Sequence, residues 1–230
     1  MTPERFDIYD NMQNWIGTAL RSEVHAKGYW HRSFHCWIVR DEGEQRQVLF
    51  QRRRDIKDTF PGCYDITAAG HLTAGEQLQD ASRELEEELG VHVSFDALTY
   101  LLTATQQLQG EVRGVPFVDR EFSSVYGLCL NQPLESYVLQ PSEVDNLYEV
   151  PLANLLALFR SEIDVIYATG VQTHPLTSPP HSIGHKDSLS DHAAHEPERI
   201  VREIRATDFV PHGTAYYTDV LEALYHVPKN

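Results

Sequence analysis

Cysteine is scarce and unpatterned. The three thiols, Cys36, Cys63 and Cys129, are odd in number, widely spaced and contain no Cys-x-x-Cys pair, so neither a disulfide framework nor a cysteine zinc site is indicated. Basic residues are also few, with 19 Lys and Arg against 34 Asp and Glu, a formal charge of −15. Neutralising a polyanion calls for a basic patch, which argues against DNA or RNA as the main partner. A small phosphorylated substrate stays compatible, because a divalent cation can supply positive charge locally. No apolar run approaches the roughly 20 residues of a membrane span, and MTPERFDIYDNMQ lacks the apolar core of a signal peptide. The expectation is a cytoplasmic protein with no membrane partner. What is present is ordinary: 41% hydrophobic and 23% charged residues in a chain of 230, sized for one domain spanning 1–230.

The most unusual stretch is GHLTAGEQLQDASRELEEELGV, Gly70 to Val91. Leu78, Ala81, Leu85 and Leu89 recur at steps of three and four, which predicts an apolar helix face closed by Gly90 as a left-handed cap. Glu84 precedes Glu87 and Glu88 by three and four residues, so these carboxylates share one patch, with Asp80 at its upstream edge. Like charges at that spacing cost about a few tenths of a kcal/mol per pair, and carboxylates in a last turn oppose the helix dipole. The patch is wrong for stability alone. A hard divalent cation removes the conflict, since Mg²⁺ or Mn²⁺ suits oxygen ligands and shares its shell with substrate phosphates.

These residues resemble the Nudix hydrolases, whose signature runs Gly, five residues, Glu, seven residues, Arg-Glu-aliphatic-any-Glu-Glu-any-Gly-aliphatic. Here Gly70 and Glu76 are spaced as required, but six residues separate Glu76 from Arg83, and the match then runs unbroken through Arg83-Glu84-Leu85-Glu86-Glu87-Glu88-Leu89-Gly90-Val91. Ala81 and Ser82 keep phase with the apolar face, which places the deletion at the junction of loop and helix and puts the position of Glu76 in question. The resemblance implies that Glu84, Glu87 and Glu88 are metal ligands, that Gly70 offers a carbonyl ligand, that Arg83 orients the glutamates, and that Glu86 faces away. It also implies an α/β class, an α/β/α sandwich around a mixed sheet with a catalytic loop and helix and an extra C-terminal helix. Family members often dimerise, so a homodimer is a possible assembly.

Along the chain, Phe6, Ile8 and Tyr9 suggest a short edge strand. Phe34 to Val39 and Gln47 to Arg53 read as a hairpin turned at Asp41-Glu42-Gly43. Tyr64 to Ala68 reads as a strand delivering the chain to Gly70, with further strands near 97–105 and 120–130. Pro151 fits the first position of an amphipathic helix, LANLLALFR. The domain core is expected over about 30–162. From 170 to 197 the chain turns rich in Pro, Ser and His and reads as a flexible insertion, whose His174, His181, His185, His192 and His195 match no tight metal site. A strand around Ile200, Val201 and Ile204 and a helix bearing Tyr217, Val220, Leu221 and Leu224 close the chain over 198–230.

Beyond the box, WHRSFHCWIV, QRR, FPGCYDITAAGH and Asp119-Arg120-Glu121 are similar to the branch that holds type 1 isopentenyl diphosphate isomerase and related bacterial hydrolases. That branch places a cysteine before the Gly-His of the box; this chain has Ala69, which can neither give nor take a proton. His31, His71 and Glu121 match metal or acid positions of the branch. The expected activity is therefore metal-dependent cleavage of a pyrophosphate linkage in a nucleoside diphosphate joined to another moiety, or a related diphosphate. An isomerase-like enzyme and a catalytically inactive ligand-binding module are the alternatives. Glu87 or Glu88 is expected to serve as general base, with Glu121 and Glu143 in reserve, while Arg52, Arg53 and His71 meet the substrate. Trp30, Phe60 and Tyr64 are candidates for reading the organic group.

Overall fold

The computed structural model describes residues 3–57, 59–112, 114–172 and 198–229. In chain order the elements are β1 (Arg5–Tyr9), β2 (Trp15–Leu20), α1 (Arg21–Lys27), β3 (Trp30–Glu42), β4 (Gln45–Arg53), β5 (Tyr64–Asp65) and β6 (Ala68–His71). There follow α2 (Arg83–Leu89), β7 (Thr99–Val112), β8 (Val115–Cys129), β9 (Val144–Pro151), α3 (Leu152–Phe159), β10 (Ile166–Gln172), β11 (Glu198–Ile204) and α4 (Thr214–Leu224).

The long strand β3 organises the sheet. Strands run in the order β11-β10-β9-β4-β3-β1-β2, with β6 and β8 also paired to β3, β7 beyond β8, and β5 on β4. β3 and β8 run parallel from Trp30 opposite Arg120 to Val39 opposite Cys129, whereas the other pairings are antiparallel, so the sheet is mixed. The expected hairpin is β3 and β4. Both faces of it are buried. Phe34, Cys36, Ile38 and Leu49 pack with Ala81, Leu85 and Leu89 on the face that carries α2. Trp37, Val39, Val48 and Phe50 pack with Leu155, Tyr217, Val220 and Leu221 from α3 and α4 on the other. Strict alternation along β3 thus feeds two cores, which is how a sheet between two helical layers reads.

Several local expectations are corrected. Leu78–Ser82 winds as a 3-10 helix and only Arg83–Leu89 is α-helical. A 3-10 segment rises about 2.0 Å per residue against about 1.5 Å in an α-helix, so five residues cover the length of six to seven α-helical ones. The tighter winding makes up for the missing residue. β1 is not an edge strand, because β2 covers its outer side. The Tyr64-to-Ala68 strand is broken into β5 and β6. Pro151 ends β9 one residue ahead of α3. Residues 170–172 belong to β10, paired to β11; the rest of the expected insertion, with its five histidines, lies outside the described residues. Among the described residues no helix is long and apolar enough to cross a membrane.

Candidate functional site

The sheet delivers Gly70 at the end of β6, directly under α2. A Cβ there would lie 2.1 Å from Glu84 Oε1, so a side chain at this position would displace the Glu84 carboxylate. The loop between them is pinned by Glu76, whose Oε2 accepts from Thr73 N at 2.7 Å and whose Oε1 accepts from Arg83 Nε at 2.7 Å. Glu76 therefore stands in place despite the shortened spacing. Burial pushes its carboxyl up, but Arg83 and Thr73 outweigh that and hold it below the usual range. Arg83 also reaches Glu84 Oε1 at 2.7 Å and Glu87 Oε2 at 3.1 Å, so one guanidinium orients three carboxylates.

The three box glutamates sit at graded depth. Glu87 is on the rim, with 57% of its side chain exposed. Glu84 is deeper, and burial raises its pKa. Glu88 is buried and accepts from two uncharged donors, Gln51 Nε2 at 3.1 Å and Ala69 N at 3.3 Å. Burial, with the Glu84 charge second, pushes it up to about 8. Glu86 is exposed and turns to His92.

These groups line a cavity of about 510 Å³, within the range of small-ligand sites. Arg53, Lys57 and Glu143 line its mouth, and His71 and Glu121 its floor. Arg53 pairs with Asp65 at 3.0 Å and Lys57 with Glu143. Arg52 is not brought to the cavity: it pairs with Asp55 and Asp145 in a separate recess beside Tyr64. The pairing of β4 with β9 shifts register between Arg52 and Arg53, and the two arginines take different partners, Asp145 and Asp65. Of the three aromatics, Phe60 lines the cavity, while Tyr64 is in the core and Trp30 stacks on Phe122.

Next to the floor lies a group the sequence pattern revealed only in part. Ligand atoms of His25, His31, His71 and Asp119 all lie within 4.8 Å of one another. His31 Nδ1 donates to Tyr29 O at 3.2 Å, which turns the Nε2 lone pair inward. His25 Nε2, His31 Nε2 and Asp119 Oδ1 are buried with no hydrogen-bond partner. Burial lowers His25 to about 3 and His31 to about 4, so both present neutral imidazoles. Burial, with Glu121 beside it, raises Asp119 to about 7. Glu121 borders this group, accepting from Ser33 Oγ at 2.6 Å and contacting His71 Nε2 at 3.0 Å. Burial alone would raise Glu121, but His35 and His71 hold it well below its ordinary value. Burial would lower His71, but Glu121 outweighs that and raises its pKa, so the neutral nitrogens are those of His25 and His31, which with the Asp119 carboxylate could hold a metal ion. His25 and Asp119 were missed because they lie on α1 and β8, 94 residues apart (119 less 25), with no spacing to connect them.

Residues 29–169 match the NUDIX domain. The chain belongs to the Nudix family. An uncharacterised Nudix hydrolase of Clostridium acetobutylicum is 36% identical over 224 residues, spanning 97% of this chain and 98% of that one. An isopentenyl-diphosphate Delta-isomerase of Kocuria rhizophila is 33% identical over 144 residues, 60% of this chain and 76% of that one. Among solved structures, DR0079 of Deinococcus radiodurans superposes with a TM-score of 0.51 at 22% identity, covering 69% of this chain and 90% of that one, a likeness of fold. With a relative over nearly its whole length, this Nudix protein is of the hydrolase type, in the branch that also holds isomerases. The Nudix match ends at residue 169, so β11, α4 and the segment between them lie beyond it.

Proposed function

We propose that the protein is a divalent-metal-dependent pyrophosphohydrolase that cleaves a nucleoside diphosphate linked to another moiety, or a related diphosphate. The observation that carries this is Glu88, a buried carboxylate satisfied by uncharged donors, beside Glu84 and a Gly70 that leaves no room for a side chain. Buried carboxylates without a cation are costly, so the donor set fits a hard cation such as Mg²⁺ or Mn²⁺ held by Glu84, Glu87, Glu88 and the Gly70 carbonyl. When bound, that ion neutralises charge on the phosphate oxygens and lowers the pKa of a coordinated water. Arg83 keeps Glu84 and Glu87 aimed at the cavity. Arg53 and Lys57 meet the phosphates at its mouth, with His71 on its floor. Glu87 or Glu88 receives the proton of the attacking water, and Glu121 and Glu143 also line the cavity. The His25, His31, His71 and Asp119 group suits a borderline ion such as Zn²⁺ as a second resident metal.

The isomerase reading draws support from the Kocuria rhizophila relative and from Glu121. It lacks its proton donor: Ala69 lines the cavity where a thiol is needed, and Cys36, Cys63 and Cys129 do not line it. A binding module is disfavoured by the intact glutamate set and by the way Arg83 holds it. The test is phosphate or monophosphate release from a panel of nucleoside-diphosphate compounds and isopentenyl diphosphate, in Mg²⁺, in Mn²⁺ and with a chelator. Metal-dependent cleavage is expected; isomerisation without cleavage, or silence across the panel, overturns the reading.

A further inference from the structure

The segment that follows the Nudix match closes one wall of the cavity and leaves a hydrogen-bond donor there without a use. Val210 N donates to Tyr64 O at 2.9 Å and Val210 O accepts from Tyr217 Oη at 2.7 Å, which fixes the chain beside β5 and brings His212 to the cavity. The His212 ring spans two partners, Asp65 Oδ1 at 2.9 Å from Nε2 and Gln106 Oε1 at 2.8 Å from Nδ1. Asp65 is itself held by Arg53 Nη1 at 3.0 Å and Ile66 N at 2.9 Å. Gln106 meets His212 through one end of its amide only, the oxygen when His212 donates from Nδ1. Its Nε2 is buried and has no hydrogen-bond partner, on a residue only 8% exposed that lines the cavity.

A buried amide N–H₂ without an acceptor is costly, and the cost is recovered when a ligand supplies one. The neighbours decide which acceptor. Gln106 stands opposite Glu121 across β7 and β8, and Asp65 lies on the far side of His212. A second phosphoryl group there would face the Glu121 carboxylate, while the nearby Arg53 and His71 are already paired to Asp65 and Glu121. A hydrocarbon would leave the amide unpaired. A hydroxyl accepts from the amide and donates to a carboxylate, and Ile66, Leu108 and Val210 bound the space for a compact carbon skeleton. We propose that Gln106 is a specificity-determining residue reading a hydroxyl of a sugar-like group on the diphosphate substrate, with His212 as its positioning residue. This rests on the diphosphate hydrolase reading above.

The test uses the full chain and two probes with the same diphosphate and the same number of carbons, ribose 5-diphosphate and n-pentyl diphosphate. Binding is measured by calorimetry with Ca²⁺, and release of phosphate in Mg²⁺ is followed in parallel. The wild type is expected to prefer the ribose compound at least about tenfold. Gln106→Glu keeps an oxygen toward His212 and removes the donor, so it should erase that preference while pentyl diphosphate binding reports that the site is folded. His212→Asn should weaken the preference without changing the affinity for the pentyl probe. A wild type that binds both probes equally, prefers the pentyl compound or binds neither overturns the inference, as does an unchanged ratio in Gln106→Glu. Metal-dependent cleavage of other diphosphates in that case leaves the hydrolase reading standing, whereas no cleavage of any diphosphate removes both.

Discussion

Replacing Glu88 by glutamine separates what the residue does for catalysis from what it costs the fold. Its carboxyl is pushed up to about 8 by burial, against an ordinary 4.5. Between those values the folded metal-free protein holds a proton that the unfolded chain has released, so stability falls as pH rises from about 4.5 to about 8 and is level above that. At pH 7.5 the penalty is about 4 kcal/mol, and for a chain of this size each kcal/mol moves Tm by about 2–4 °C. Glutamine is isosteric, its oxygen can still accept from Gln51 and Ala69, and its amide can donate toward Glu84. Glu88→Gln is thus expected to raise the Tm of the chelator-treated protein by about 8–16 °C at pH 7.5 and by little at pH 5. The assay is thermal unfolding with a chelator across pH 5 to 8. Saturating Mg²⁺ should lift the wild type more than the variant, which should be inactive. A variant no more stable than wild type at pH 7.5, or one whose Tm falls just as steeply with pH, would refute the view that Glu88 is a buried carboxylate awaiting a cation.

Other perturbations test other parts of the site. Glu87→Gln removes a rim ligand with little burial, so turnover of any diphosphate substrate should drop at least about a hundredfold with Tm unchanged; unchanged turnover sinks the metal mechanism. Gly70→Ala places a methyl where the Glu84 carboxylate stands and pushes that flexible tip aside, so most activity should be lost with Tm little changed; full activity would show that the Glu84 position is not required. Asp65 is driven up by burial but held at about 2 by His212 and Arg53, so its contribution of about 2 kcal/mol is complete above pH 4 and lost as pH falls toward 2. Asp65→Asn should flatten the acid limb of the unfolding profile, and an unaltered limb counts against the pairing. His31→Gln should strip transition metal from protein grown with Zn²⁺, measured by elemental analysis, and a wild type that carries none overturns the second metal site.

The sequence by itself determined whatever is carried by spacing. Glu84, Glu87 and Glu88 on one helix flank, Leu85 and Leu89 on the other, the β3 and β4 hairpin and the reach of Arg83 to its neighbours all follow from periods of two and 3.6 over a few residues. The methyl at Ala69 was equally legible, because its meaning lay in its position next to Gly70. Tertiary structure alone decided which residues meet across about a hundred positions of chain. The parallel pairing of β3 with β8 sets His31 beside Glu121, and α1 then brings His25 to Asp119. Burial of Glu88 under α2, and with it the raised pKa, depends on how the helix packs on β6. The 3-10 winding of Leu78–Ser82 compensates a deletion that the spacing could only flag. Gln106 and His212 are 106 residues apart and join through a segment beyond the Nudix match, so no local pattern could pair them. Local periodicity records how a chain folds on itself over a turn or two; long-range contacts depend on sheet order and layer packing, which no short stretch of residues encodes.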